Sequence, residues 1–520
     1  MINEVGNPCA NCGKPAKQFC SSCKSVFYCS KDCQKKGWKS HKPHCRPFIV
    51  QTHPVYGRYA IATRDIKPGE VVLREPPIVY GPKQCTVPIC LGCHKRISDP
   101  RLCKRCKYPV CSPECENIKH HQDECVVLAK ASSPLTFSNF DKVNPSYECI
   151  TPLRCLLLKK SDSKKWETFL DLQSHIEDIQ DTELFNVNQR NIVDFIRIFL
   201  EYEDGIEKSD DVDILHRICG ILSTNCFELL DNGQRIRGIY YSAAMLAHNC
   251  SPNTKHSFDS NKNIIFRATQ GIQKGKPLFA TYSHTLWDTH SRRKLLKTLK
   301  FFYCTCKRCS DPTELGTNLS TLICSKCSGE IKSTDPLDQN ALWKCSKCDH
   351  QLLAKQIKWG NDMLNDELRS LGKLDPRTME SFIKRYRKAL HKNHRFNVEA
   401  KYALVKLYGN STNYYYKDLE REQIENKVKW CRELLSLAEK IDPGKSLLRG
   451  TLLFELQAGI VAQAKILLSN DLITQEKAAE YMNEAVGYLQ EASEILKHEP
   501  EMEAGGLDEK LKWLSKELEI

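Results

Sequence analysis

Residues 9–45 read CANCGKPAKQFCSSCKSVFYCSKDCQKKGWKSHKPHC, a spacing of C-x2-C-x7-C-x2-C-x5-C-x3-C-x7-H-x3-C. Eight thiols and imidazoles in four pairs leave this stretch few ways to fold. The CxxC pairs make short knuckles, and ligands four residues apart share one face of a helix. An interleaved arrangement gives Cys9, Cys12, Cys29 and Cys33 to one zinc. Cys20, Cys23, His41 and Cys45 then hold a second.

Residues 90–125 repeat the theme as C-x2-C-x9-C-x2-C-x4-C-x3-C-x5-H-x3-C. Cys90, Cys93, Cys111 and Cys115 form one expected set, and Cys103, Cys106, His121 and Cys125 the other. His121, and not the adjacent His120, keeps the HxxxC offset. His94 follows a knuckle cysteine and is expected in solvent. The first stretch resembles the MYND zinc finger, and the second is a MYND-like duplicate of it. Further along, CTCKRC at 304–309 is a third cluster, and Cys324, Cys327, Cys345 and Cys348 have the spacing of a small zinc ribbon.

Together with Cys250 of AHNC, these clusters absorb 22 of the 28 cysteines. Cys85, Cys149, Cys155, Cys219, Cys226 and Cys431 are left over and read as buried small apolar residues. So many clustered thiols argue for metal in a reducing compartment. The N-terminus MINEVGNPCANCGK has no hydrophobic signal core, and no run of eighteen apolar residues is present. An intracellular protein of the nucleus and/or cytoplasm, without a membrane segment, is the expectation. The formal charge is +13. Six thiolate-bound zincs would bring it to roughly +3, so basic patches are local and nucleic acid is not the expected partner. KRYRKALHKNHR at 384–395 reads as the solvated face of a helix.

Between the clusters, HPVYGRYAIATRDIKPGEVVLREPPIVY at 53–80 alternates β-type residues with Gly and Pro turns, which predicts a small antiparallel unit. Residues 150–230 read as mostly helical, and 233–282 return to β-like segments. From about 350 onward the pattern is helical. AEYMNEAVGYLQEASEILK places Tyr481, Ala485, Tyr488, Leu489, Ala492 and Leu496 on one face. LLFELQAGIVAQAKILL is apolar nearly all round and reads as a buried helix, with DPGKS at 442–446 as a break. No 34-residue signature makes this a firm tetratricopeptide array.

YGRYAIATRDIKPGE, STNCFEL, MLAHNCSPN and ATYSHTLWDTHSRRKLLKTLKFFYCTCKRC are similar to segments of SET domains. With the fingers, the chain resembles the SET-and-MYND family, in the arthropod-type branch with an extra N-terminal finger. The resemblance implies an α+β multidomain chain. A zinc-stapled SET β-fold is split by a MYND finger, with an extra N-terminal MYND finger, a zinc ribbon and a C-terminal TPR-like α-helical array. The expected boundaries are 1–47 for the first finger, 48–89 for the first SET part and 90–125 for the second finger. A helical insert follows at 126–232, the SET core with its post-SET zinc site at 233–312, the ribbon at 313–350 and the helical domain at 351–520.

The family transfers a methyl group from S-adenosylmethionine to a protein lysine, the cofactor and the amine entering from opposite faces. Tyr282 matches the catalytic tyrosine. Gly57, Arg58, Asn225, His248 and Phe302 match cofactor-side positions. Cys250, Cys304, Cys306 and Cys309 match the post-SET zinc ligands, for about six zincs in all. The implied partners are a protein substrate carrying the lysine, histone or non-histone, and proline-rich peptides at the fingers.

Two departures stand out. AHNC has Ala247 where the family has a cofactor-contacting Asn, a loss of about 1–3 kcal/mol in binding. Gly57-Arg58-Tyr59 replaces Gly-x-Gly, so Tyr59 either blocks the cofactor or points away. Tyr241 also stands in place of a usual proline. The chain therefore reads as a lysine methyltransferase with a partly eroded cofactor site. The alternative is a catalytically weak or inactive zinc-dependent interaction scaffold or transcriptional co-regulator.

Overall fold

The structure is a computed structural model. It describes residues 8–20, 23, 26–42, 45–97, 101–132, 137, 139–202, 213–371 and 375–499. In both fingers a serine builds the helix that carries ligands. Ser30 caps the helix Lys31–His41 by accepting the Cys33 N–H, and Ser112 caps Pro113–Glu116 by accepting that of Cys115. The same Cys-Ser-x-x-Cys device thus sets the third pair of ligands in each copy.

The SET core is a set of small, mostly antiparallel sheets. Phe48–His53 pairs with Gly57–Ala62 in a hairpin, and Gly57 takes φ +64° where the chain leaves its tip. Val71–Glu75 pairs with Ile264–Ala268, which pairs with Thr254–Phe258. Val79–Pro82 and Cys226–Asp231 flank Gln234–Ile239. The β-like stretches at 53–80 and 233–282 are therefore interleaved partners. Their inner faces bury Phe48, Ala60, Val72, Leu73, Tyr240, Phe266 and Leu278. Glu75 is held inside this core, accepting the backbone N–H of Ser242 and Ala243, while Arg46 donates to the Ser242 hydroxyl at 2.5 Å. That contact ties the end of the first finger to the core.

The two fingers differ in setting. The first has its own small cluster, Cys9, Ala16, Cys20, Cys23 and Tyr28. The second is sunk in the largest core, with Cys90, Cys103, Cys106, Cys115 and Cys125 packed among the helices Ile150–Ser161, Ser163–Leu170 and Ile214–Asn225. A polar network runs through this junction. Arg154 grips Glu124 with Nε and Nη2 at 2.7 and 2.9 Å, Glu124 accepts from His121 at 3.3 Å, and His94 lies between Arg154 (3.2 Å) and Asp231 (2.9 Å). His94 is thus not in solvent. It is 1% exposed, because the knuckle it follows faces the core. Cys149, Cys155, Cys219 and Cys431 are buried as expected, whereas Cys226 is half-buried and Cys85 is exposed.

The ribbon strands Leu322–Ile323, Glu330–Ser333, Trp343–Cys345 and Gln351–Leu352 form one antiparallel sheet. Helices Ala354–Ser370, Pro376–Tyr386, Arg395–Leu407, Arg421–Ile441, Leu447–Ser469 and Gln475–Leu496 follow. Leu447–Ser469 is long and apolar enough to cross a membrane by length and composition, yet it is packed between the helices on either side of it in sequence. Its Glu455 accepts from Lys427 at 2.6 Å, and Lys427 places its other hydrogens on the Val405 and Tyr408 carbonyls. KRYRKALHKNHR is not one solvated face. The helix stops at Tyr386, and His394 and Arg395 are buried, Arg395 lying 5.8 Å from the Trp287 ring. The break at 442–446 docks on the SET core. Gly444 has φ +78°, a Cβ there would meet the Thr269 carbonyl oxygen at 2.2 Å, and the Lys445 N–H donates to that oxygen.

Removing Arg154 strands Glu124, which has no exposed surface. Arg154→Met is expected to lower stability by about 3–5 kcal/mol, the cost of an uncompensated buried charge. Urea denaturation checks this, and a midpoint equal to wild type would show that the network does not hold finger and core together.

Candidate active site and metal centres

A tetrahedral zinc with bonds of about 2.3 Å sets neighbouring sulfurs roughly 3.8 Å apart. The described thiols have that spacing without any ion being present. Cys12, Cys29 and Cys33 lie 3.4–3.7 Å from one another. Cys20 is 3.6 Å from Cys45, and Cys23 is 3.4 Å from His41 Nε2. Cys103–Cys125 is 3.7 Å and Cys106–His121 Nε2 3.9 Å. In the ribbon, Cys324–Cys348 is 3.7 Å and Cys327–Cys345 3.4 Å. Cys250 is 3.8 Å from Cys304 and 3.5 Å from Cys309, with Cys306 in the same group. For the remaining set, Cys93 lies 3.6 Å from Cys111, and Cys90 accepts the Cys111 N–H. Cys115 packs so tightly on that knuckle that a Cβ at Gly92 would come within 2.7 Å of it. Four thiolates, or three thiolates and an imidazole, in this geometry fit zinc. Glu124 on His121 Nδ1 is the carboxylate that fixes the ring of a metal-bound histidine.

The post-SET set is fastened to the β core by two short strands in parallel, Ala247–His248 and Phe279–Ala280. This pairing sets the AHNC and FATYS segments side by side although they are some thirty residues apart. The Asn249 N–H reaches the Ala280 carbonyl at 2.9 Å, and the Tyr282 N–H donates to His248 Nδ1 at 3.0 Å. Because Nδ1 accepts, Nε2 carries the proton and faces Cys250 Sγ at 3.2 Å. His248 is neutral, its pKa pushed down to about 4 by burial. Both ring nitrogens are thus used inside the protein. His248 joins the metal centre to the Tyr282 backbone, and its side chain offers the cofactor no hydrogen bond.

Tyr282 is half-buried, its ring 5.3 Å from that of His248, and its hydroxyl donates to the Leu246 carbonyl at 2.6 Å. Burial raises its pKa well above the ordinary value, so it stays a phenol. Phe302 packs on the same side, 6.0 Å from the His248 ring and among the post-SET cysteines.

The other matched positions lie one step away. Asn225 ends its helix and spends both amide hydrogens on the Gln173 and Ile221 carbonyls, at 2.8 and 2.9 Å. Arg58 pairs with the carboxylate and the carbonyl of Asp171, and the Tyr241 hydroxyl joins the same carboxylate at 2.7 Å. Tyr59 lies on the other strand face, against His53 and Tyr56, so it does not point where Arg58 does. A Cβ at Gly57 would meet nothing within 4 Å. Ala247 is buried and offers no polar side-chain atom.

Through these bonds Arg58 and Asn225 both hold the segment 170–174. Leu170, Asp171, Leu172, Gln173 and Ser174 line a cavity of about 510 Å³ with Ile176, Ile214 and Arg217. His175, in the left-handed conformation, sets its ring 5.1 Å from that of Phe301. Asp171, Gln173, His175 and Lys300 carry no sequence signal, since each is assembled by folding; only Tyr241 stood out, as an exception to a pattern.

Elemental analysis is expected to find about six zincs per chain, the number the 24 ligands imply. Chelators should strip them unevenly. Cys12 and Cys327 are exposed, whereas Cys103, Cys106, His121 and Cys125 are all buried. Cys111 of the second finger is exposed as well, so zinc release followed with a chromophoric chelator should show its slow phase from the Cys103, Cys106, His121 and Cys125 set and faster release from sets with an exposed thiol. Three zincs or fewer would contradict the assignment.

Residues 9–45 match the MYND finger family and residues 57–283 the SET domain family. The chain is similar to SET domain-containing protein SmydA-8, isoform A, of Drosophila melanogaster, 28% identical over 431 residues, 79% of this chain and 88% of that protein. Histone-lysine N-methyltransferase SMYD3 of Mus musculus is 27% identical over 260 residues, covering 48% of this chain and 58% of its own length. N-lysine methyltransferase SMYD2 of Homo sapiens is 23% identical over 313 residues, 59% and 52% respectively. A finger and a SET domain joined in one chain, with a zinc-closed strand pair at the site and relatives of this composition, place the protein in the SET-and-MYND family of lysine methyltransferases.

Proposed function

We propose that this chain is an S-adenosylmethionine-dependent protein-lysine N-methyltransferase whose substrate is a lysine of another protein, histone or non-histone. The parallel pairing of Ala247–His248 with Phe279–Ala280 carries the reading, because it sets Tyr282 beside the post-SET metal group. The residues present suit the cofactor. A cavity of about 510 Å³, in the usual range for small-molecule sites, lies beside these positions; it is lined by the segment that Arg58 and Asn225 hold and not by the matched residues themselves. Asn225 keeps its carboxamide oxygen available while its amide hydrogens hold the wall in place, and Thr224 Oγ1 is buried without a hydrogen-bond partner. The bound cofactor supplies an electrophilic sulfonium methyl.

The chain's own residues do the rest by positioning. Tyr282 gives its proton to Leu246, so its phenol oxygen is left to accept from an incoming amine and orient the nitrogen lone pair. Its raised pKa keeps that arrangement across the physiological range. Phe302 supplies an apolar ring for the adenine side, and Arg58, Asp171 and Tyr241 latch the segment at 171–175 to the hairpin. Ala247 removes a side-chain contact, so cofactor affinity below that of a complete site follows.

Tyr282→Phe is expected to lower methyl transfer to a protein substrate by about 100-fold, as lost orientation of an amine does. Zinc content and melting temperature should be unchanged. Turnover equal to wild type would remove Tyr282 from the mechanism.

An interaction role is supported separately at the first finger, which exposes Phe19 and Trp38 beside its metal ligands. Exposed aromatic rings suit proline-rich segments, whose extended form costs little entropy to bind. Trp38→Ala is expected to abolish capture of a proline-rich peptide in a pull-down and leave cofactor binding intact. Equal capture by zinc-stripped protein would exclude this role.

A further inference from the structure

A lysine ammonium lies inside the site described above. Lys300 is the last residue of the helix Thr289–Lys300, and Phe301 ends that helix in the left-handed conformation, φ +62°. This turn sends the Lys300 side chain inward, where its ammonium donates to the Thr224 carbonyl. Nζ lies 5.7 Å from the centre of the Tyr282 ring. Thr224 immediately precedes Asn225 and closes the helix Ile214–Asn225, so the ammonium sits between the C-terminal ends of two helices. Such ends are where a cation is held best.

No carboxylate answers this charge among the described residues. The groups facing it are the Thr224 carbonyl, the Tyr282 ring and the Cys226 thiol. Burial pushes its pKa below the ordinary lysine value, as expected for a cation balanced only by dipoles. Other buried cations have full partners: Arg154 has Glu124, Arg292 has Glu314 and Lys427 has Glu455. Lys300 itself is half-buried, so water screens its charge only in part. It lacks such a partner at the point where the Tyr282 phenol and the cofactor-side Asn225 converge.

We infer that Lys300 sets the charge preference of the cofactor site, disfavouring the cationic sulfonium of S-adenosylmethionine relative to the neutral thioether of S-adenosylhomocysteine. This rests on the methyltransferase reading. The two ligands share adenosine and amino-acid portions and differ in one methyl group and one positive charge. A fixed ammonium near Tyr282 opposes only the charged form. The site then retains its product and responds to the ratio of the two species, not to the methyl donor alone.

The test is calorimetric titration of both ligands into zinc-replete full-length protein as wild type, Lys300→Gln and Lys300→Arg. Gln removes the charge yet keeps an N–H for the Thr224 carbonyl, and Arg keeps the charge. For Lys300→Gln, S-adenosylmethionine affinity should rise on the order of 10- to 100-fold, as removal of a like charge from a partly desolvated site does, with S-adenosylhomocysteine affinity changing less than about twofold. Lys300→Arg should keep the wild-type ratio. Zinc content and melting temperature confirm that each variant is folded. An unchanged ratio in Lys300→Gln, with both ligands binding, overturns the inference alone. Absence of binding by either ligand to every variant overturns the cofactor reading itself and the inference with it.

Discussion

The pairing on which the rest depends is two residues long on each strand. Phe279–Ala280 lies parallel to Ala247–His248, and two ladder positions in isolation would not persist in water. What holds them is the cysteine group just beyond. Cys250 follows His248 by two residues, while Cys304, Cys306 and Cys309 come from a segment reached through the helix Thr289–Lys300. A metal there closes a loop of more than fifty residues and fixes both strand ends. The Tyr282 N–H on His248 Nδ1, and the His248 proton facing Cys250, carry that constraint into the site by hydrogen bonds. Metal and chemistry are thus coupled without the metal touching the reacting atoms.

The charged scaffolding around this centre follows the same logic. Arg292 donates to Glu314 at 2.7 Å and lies 3.5 Å from Cys309 Sγ, while Arg308 donates to the Cys250 carbonyl at 3.0 Å. A zinc held by four thiolates carries two net negative charges; these guanidiniums, offset in part by Glu314, lie against that charge in a place water does not reach. The second finger solves the same problem with Arg154, Glu124 and His121. The first finger is a separate cluster attached through Arg46. The duplicated motif therefore has two physical roles. The buried copy is a structural part of the SET core, and the exposed copy is free to face a partner.

How much of this could be read in advance divides along one line. The cysteine and histidine pairs were legible because coordination imposes short, local spacings, whereas which knuckle joins which helical pair is seen only in the spatial groups. Tyr282 and the post-SET cysteines were legible through resemblance. His94 was misplaced because whether a knuckle faces solvent or core depends on Arg154 and Asp231, 60 and 137 residues away. His248 matched a cofactor position, yet its ring nitrogens are used by Cys250 and Tyr282. No spacing rule reports how a side chain divides its hydrogen bonds. KRYRKALHKNHR had the composition of an exposed helix, but the turn after Tyr386 buries Arg395 against Trp287.

The departures from the family pattern also change meaning once the tertiary contacts are known. Tyr59, an apparent obstruction, lies on the face of its strand opposite to Arg58 and packs with His53 and Tyr56. Strand alternation alone produces this result, since neighbouring residues point to opposite sides. Tyr241, noted in the sequence only as standing in place of a usual proline, holds Asp171 together with Arg58 and so helps close the wall of the cavity. Ala247 is buried and brings no polar side-chain atom of its own. Conversely Lys300, at the end of an amphipathic helix, looks like an ordinary solvated residue in the sequence. The left-handed Phe301 that follows turns it inward, so one backbone conformation converts a surface-type charge into the least compensated cation of the site. On the methyltransferase reading, what would set this site apart is less the substitutions that catch the eye than a charge whose placement comes from the fold.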